Sequence, residues 1–176
     1  MAIHELFYYP DELLHTVSAP VTEFNDELKT LVSDMIETMY ADEGIGLAAP
    51  QIGVLKRIVV INVEGPQKPE SELVLINPEF IAAEGEAGIE EGCLSVPELR
   101  AFIKRYAKVT VRAQDVNGNF FEKSADDLLA ICMQHEIDHL NGKLFIDYLS
   151  VMKQNLYRVK AAKLARERKK ARSNQR

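Results

Sequence analysis

The chain has 176 residues, 47% apolar and 27% charged, which excludes a disordered polymer and suits one globular domain with a sizeable core. Its longest unbroken apolar stretch, 128–133, is too short for a membrane-spanning helix. The net charge of −6 is uneven: residues 153–176 hold ten Lys or Arg and one acid, a net of +9, leaving 11 basic and 26 acidic residues in 1–152, a net of −15. An acidic body with a basic tail is expected to meet two kinds of partner. The opening MAIHEL has neither the basic and apolar regions of a secretory signal nor the Arg-rich character of a transit peptide, so a cytoplasmic location is expected. There, Cys93 and Cys132 are expected to be thiols or ligands rather than a disulfide.

In chain order, Leu28, Leu31, Val32, Met35, Ile36, Met39 and Tyr40 recur at helical spacing behind an N-cap at Asn25, predicting a helix over about 25–42. Residues 44–53 are rich in Gly and Ala, and Pro50 excludes a continuous helix there. Short β-branched runs at 57–63 and 73–76 predict strands. Residues 85–97 are punctuated by glycine and match neither period, with 90–95 read as a glycine-flanked loop. Strands at 108–116 and 119–123 form a hairpin, with Asn117-Gly118 as its tight turn. A second helix is predicted from an N-cap at Ser124, with Asp127 completing an imperfect capping box, to about Leu140, and Gly142 stops it. Residues 151–176 are helix-prone. The expected fold is α+β, mostly antiparallel strands packed on one buried helix. Residues 1–150 form its body and 151–176 a basic helical extension of the same domain.

Within the second helix, His135-Glu136-Ile137-Asp138-His139 is an HExxH sequence. Residues four apart share a helix face, so both imidazoles can reach one ion, and Glu136 stands where its carboxylate meets water beside that ion. One histidine is cheaply explained as an ordinary surface residue. A pair with Glu136 on an otherwise apolar helix is not, because unpartnered polar groups are costly to bury. A hydrolytic metal usually takes three protein ligands and one open position. Cys132 and His139 lie about 10 Å apart along the axis at 1.5 Å per residue, so Cys132 is read as a core thiol lining the site. His4 and His15 have no accompanying ligand pattern, and Glu167 is isolated in the basic tail. Cys93, in a glycine-flanked loop, is left as the third ligand.

Three segments together resemble one family. Gly44-Ile45-Gly46-Leu47-Ala48-Ala49-Pro50-Gln51, Glu91-Gly92-Cys93-Leu94-Ser95 and Gln134-His135-Glu136-Ile137-Asp138-His139 are similar, in order and spacing, to the signature motifs of the peptide deformylases, and the LS after the cysteine and the basic C-terminal helix resemble the bacterial type 1 branch. The resemblance covers most of 5–150. It implies removal of the N-formyl group from formyl-methionine at the start of new polypeptides, releasing formate. It implies Cys93, His135 and His139 as ligands of a divalent ion, natively Fe(II), with Zn, Ni or Co able to replace it. Glu136 is implied to move the proton, and Gln51 with the Leu94 N–H to stabilise the oxyanion. Gly44, Gly46 and Gly92 admit an extended peptide, Ile45, Ile89, Leu128, Ile131 and Cys132 match the methionine pocket, and Arg100 stands near its mouth. The substrate leaves the ribosome, so the basic tail is expected to dock on ribosomal RNA, with a monomeric protein and no membrane partner. Two other readings remain at this level. A zinc endopeptidase needs a further downstream His or Glu ligand, and a metal-stabilised RNA-binding module needs a fourth protein ligand.

Overall fold

In the computed structural model, which describes residues 2–176, the Asn25 side chain accepts from the Leu28 N–H and opens helix α1 (Asp26–Ala41). The chain then runs through β1 (Gly46–Ala48), a 3-10 turn (Ala49–Ile52), β2 (Ile58–Ile61), β3 (Leu73–Glu84), β4 (Ala87–Cys93), β5 (Val96–Arg105), β6 (Lys108–Gln114) and β7 (Phe120–Ala125). Helix α2 (Asp127–Leu140), a 3-10 turn (Phe145–Tyr148) and helix α3 (Val151–Ser173) complete it. Strands β1-β2-β3-β6-β7 form one sheet, in that order, with every neighbouring pair antiparallel, and β4-β5 is a separate hairpin. The fold is α+β.

The continuous apolar run of β2 follows from burial on both faces. Val59 and Ile61 pack with Leu75, Val109 and Val111 against Met133, Ile137 and Leu140 of α2. The alternate residues Ile58 and Val60 pack with Ile76 against Val32, Met35 and Met39 of α1. A third cluster joins Val96, Leu99 and Ile103 of β5 to Leu144, Phe145, Ile146 and Ala161 of α3. Helix α2 therefore lies between the large sheet and the hairpin, and both surfaces can bring groups to it.

Three local expectations are corrected. The glycine-flanked loop expected around Cys93 is part of the β4-β5 hairpin; Gly85, Gly88 and Gly92 and the three acidic side chains Glu86, Glu90 and Glu91 hide the alternation in 85–97, where only Glu91, Ser95 and Val96 are buried. The β6-β7 connection is longer than a two-residue turn: Gln114 pairs with Phe120, and Asp115 Oδ1 accepts from the Asn117 and Asn119 N–H groups while Gly118 takes φ +84°. Ser124 does not cap α2. It lies in β7 opposite Thr110, their hydroxyls 2.8 Å apart, and Asp126 occupies the cap position. The strand ladder continues one residue past Ser124 and wins over the cap. Gly142 does follow the α2 cap, at φ +72°, where an added Cβ would lie 2.6 Å from the His15 carbonyl oxygen.

Helix α3 is opened by Ser150, which accepts from the Lys153 N–H, and lies on the body through Tyr157, Ala161 and Arg168. Tyr157 donates to the Arg100 carbonyl at 2.6 Å. Of the ten basic residues in 153–176, Arg168 alone is partly covered, over the Tyr8 ring; the other nine are exposed. No helix among the described residues is long and apolar enough to cross a membrane.

Candidate active site

Helix geometry turns His135, Glu136 and His139 of α2 toward one point, and the end of β4 brings Cys93 to it. The Cys93, His135 and His139 donor atoms all lie within 4.8 Å of one another, with Cys93 Sγ 3.4 Å from His139 Nε2. No fourth His, Cys, Asp or Glu joins this cluster among the described residues, so the closed site of the RNA-module reading and the extra ligand of the endopeptidase reading are both missing. Cys132 is buried beside the cluster but outside it, and burial, reinforced by Glu136 and Glu91, pushes its thiol up to about 12, a poor ligand. His4 is paired with Asp34 and His15 with Asp147. Glu167 is exposed on α3.

Each histidine presents one nitrogen. His135 Nδ1 donates to Glu91 Oε1 at 2.8 Å, which leaves Nε2 for the cluster. Glu91 is buried, and although burial opposes it, the Arg105 and His135 hydrogen bonds hold its carboxyl below the ordinary value. Arg105 donates to it from Nε at 2.8 Å and Nη2 at 2.9 Å. Burial, with His135 and Arg105 close by, keeps His139 well below its usual value, a neutral ring with a lone pair to offer. Its Nδ1 is buried without a hydrogen-bond partner among the described residues. One thiol and two imidazoles with second nitrogens shielded from water make a donor set that fits a divalent transition metal.

Glu136 lies beside these donors and is 5% exposed, and its Oε2 has no partner among the described residues. Burial raises its carboxyl to about 7. An unsatisfied buried carboxylate is expensive and marks a group held ready for a reacting partner. The backbone of β1 passes directly over it: a Cβ on Gly46 would fall 2.7 Å from Glu136 Oε1. Gly44 is also constrained, since a Cβ there would meet Leu94 Cδ1 at 2.6 Å.

The Gln51 amide has a determined orientation. Its Oε1 accepts from the Ala48 N–H at 2.9 Å, so Nε2 faces Ser95 Oγ at 3.1 Å and Cys93 Sγ at 3.6 Å. Leu94 and Ser95 form the two-residue link between Cys93 and Val96, which pair across the hairpin; the N–H of the first link residue has no ladder partner in such a turn. Gln51 Nε2 thus faces Cys93, and Leu94 is the next residue along the chain.

These groups open into a cleft of about 500 Å³ between β1, the β4-β5 hairpin and α2. Gly44, Ile45, Gly46, Ile89, Gly92, Arg100, Leu128, Ile131 and Cys132 all line it, together with Gln51, Leu94, Cys93, His135 and Glu136. His139 lies behind this wall and is 1% exposed. Ile45, Ile89 and Leu128 are each about two-fifths exposed at the cleft, apolar surface left for a ligand. Glu91, Arg105 and Ser95 have no role in the expectations above. Glu91 stands two residues before the cysteine, but the Arg105 and His135 contacts arise only from the register of the hairpin and its docking on α2.

Residues 3–155 match the family model described as polypeptide deformylase. A peptide deformylase structure from Legionella pneumophila is 48% identical, with 95% of this chain and 98% of that chain covered and a TM-score of 0.89. Similar structures include a Plasmodium falciparum peptide deformylase at 37% identity (94% and 97% covered, TM-score 0.86). Another is the Ehrlichia chaffeensis peptide deformylase in complex with actinonin, at 39% identity (93% and 98% covered, TM-score 0.86). The chain belongs to the polypeptide deformylase family, metal-dependent hydrolases that remove the N-formyl group from the formyl-methionine of newly made polypeptides.

Proposed function

We propose that Cys93, His135 and His139 hold the single divalent ion of this deformylase, natively Fe(II), and that Glu136 is its general acid and base. The observation that carries this is the buried, unpartnered Glu136 carboxylate beside a three-donor cluster at the floor of an apolar cleft. A divalent cation on these donors, whether Fe(II), Zn, Ni or Co, supplies Lewis acidity that acidifies water and polarises the formyl carbonyl. Glu136 accepts the proton of the attacking water and returns it to the departing amine, the formyl C–N bond breaking as formate and a free amino terminus form. Gln51 Nε2 and the Leu94 N–H donate to the oxygen that gains negative charge. The methionine side chain fills the space between Ile45, Ile89, Leu128, Ile131 and Cys132. Gly44, Gly46 and Gly92 keep the walls narrow enough for main-chain hydrogen bonds, and Arg100 borders the exit of the peptide.

Formate release from a formyl-Met tripeptide, measured on anaerobically prepared protein, tests the oxyanion assignment. Gln51→Ala is expected to lower kcat by about 10²–10³ with KM little changed, since one donor to developing charge is worth that much. An unchanged kcat removes Gln51 from the mechanism. Gly46→Ala is expected to lower kcat about 10- to 100-fold, because the new Cβ displaces the Glu136 carboxylate and misplacement of about 1 Å costs that much. A wild-type kcat for Gly46→Ala would place the working base elsewhere.

The proposal extends to the tail: as a cytoplasmic monomer, the enzyme docks its α3 on ribosomal RNA near the point where its substrate emerges. The support is the +9 charge of 153–176, nine of whose ten cations are exposed. Changing Lys160, Lys163, Arg166, Lys169 and Lys170 to Gln is expected to abolish ribosome cosedimentation and leave formate release intact. Cosedimentation that persists would discard the RNA partner.

A further inference from the structure

The hydrogen bonds that hold His135 continue beyond Glu91. Arg105 has a third arm, Nη1, which donates to Asp138 Oδ2 at 2.6 Å. The same oxygen accepts from the Tyr148 hydroxyl at 2.8 Å, and the Tyr148 ring lies under the guanidinium, 5.0 Å from Cζ to its centroid. We propose that Asp138 and Tyr148 are positioning residues for the hydrolytic centre, acting on His135 through Arg105 and Glu91. This rests on the metal site proposed above.

The placement of the four residues gives the network its consequence. Glu91 lies on β4, Arg105 ends β5, Asp138 is on α2 one turn beyond His135, and Tyr148 ends the 3-10 turn before α3. The three proposed ligands come from two of these elements: Cys93 ends β4, and both histidines are on α2. The spacing of Cys93 from the histidines therefore depends on how the hairpin seats on α2. Arg105, with its side chain 3% exposed, crosses that seam with two bonds to Glu91 on β4 and one to Asp138 on α2. Two carboxylates neutralise it from opposite sides. A Glu91–Arg105 pair alone can swing as a unit about the hairpin; the Asp138 bond fixes the far end of the planar guanidinium. Tyr148 in turn occupies the Asp138 oxygen that Arg105 uses and stacks on the guanidinium, which limits the rotamers open to both. Its phenol, pushed up to about 12 by burial and by Asp138, remains a donor throughout the neutral range. Glu91 then presents a fixed acceptor to His135 Nδ1 and keeps Nε2 aimed at the cluster.

Co(II) affinity, measured on the full chain by chelator competition, and the Co(II)–thiolate absorption band test this. Cys93→Ala is the control for the underlying site, and its loss of the thiolate band and of tight binding is the expected result. If Cys93→Ala kept both, the metal site itself would be wrong, a failure distinct from that of the relay. With the site secure, Asp138→Asn is expected to weaken Co(II) binding about 10-fold, as removing outer partners of ligands does. Tyr148→Phe, which keeps the ring and loses only a hydroxyl on a half-exposed side chain, is expected to weaken it about threefold on the same ground and to fold normally. Both losses should vanish in a Glu91→Gln background, because the relay acts through Glu91. Full additivity with Glu91→Gln, or wild-type Co(II) affinity in Tyr148→Phe and Asp138→Asn, overturns the proposal, whatever happens to the melting temperature.

Discussion

Glu136→Gln is expected to keep the metal, lose turnover by about 10²–10⁴, and stabilise the metal-free protein at neutral pH. The three effects have one cause. Gln has the shape of Glu, so the donor cluster of Cys93, His135 and His139 is left undisturbed, but an amide cannot take a proton from water or return it to the leaving amine. In the metal-free protein, burial raises the Glu136 carboxyl from 4.5 to about 7. The folded state then binds a proton more tightly than the unfolded chain. Its stability is full below pH 4.5 and declines as the pH rises toward 7, by up to about 3 kcal/mol. Glu136→Gln removes that decline, so its advantage in denaturant melts of chelator-treated protein should grow between pH 4.5 and 7 and disappear in acid. Metal content, formate release and melts at two pH values check the set. A mutant that retains turnover would transfer the base role to another group. A mutant that loses activity and metal together would make Glu136 a ligand instead.

Helix α2 was legible because everything it needs is local: a spacing of four residues aligns two imidazoles, and Gly142 stops the chain behind them. The cleft walls were legible only through resemblance, since Ile45, Ile89, Leu128 and Ile131 carry the same apolar signal as any core residue. The β4-β5 hairpin was not legible, although it delivers Cys93. Along β4 only Glu91 is buried, so no apolar alternation shows, and glycine stands at two of its seven positions. Glu91 and Arg105 escaped for a further reason: their partnership is a matter of register between two strands, fourteen residues apart in sequence, and of docking on a third element. The error at Ser124 was a competition between two local preferences, a helix cap and a strand position. The Thr110 hydroxyl and the β6 ladder decided it, and neither is adjacent in sequence.

Cys93→Ala is expected to lose both the metal and more than about 10³-fold of the deformylase activity, while Cys132→Ala keeps the metal and changes mainly substrate affinity. The two thiols are chemically alike and lie on the same cleft, so their contrast isolates geometry. Cys93 Sγ is 3.4 Å from His139 Nε2 and accepts from Gln51 Nε2 at 3.6 Å, so it stands among the polar groups of the donor cluster. Cys132 faces Val59, Leu75 and the rest of the sheet core, and burial beside Glu136 and Glu91 pushes its thiol up to about 12. A thiol that keeps its proton at neutral pH competes poorly for a cation. Removing Cys93 leaves two histidines, and a site with two neutral donors on one helix holds a divalent ion weakly. Removing Cys132 opens a small void where the methionine side chain would rest, which should raise KM severalfold with kcat within about threefold of wild type, as for lost uniform binding. Metal analysis after gel filtration and steady-state formate release on both mutants give the answer. Retention of one metal per chain by Cys93→Ala would reopen Cys132 as the ligand. Loss of metal from Cys132→Ala would mean that its packing against α2, and not only the three donors, sets the position of the histidines.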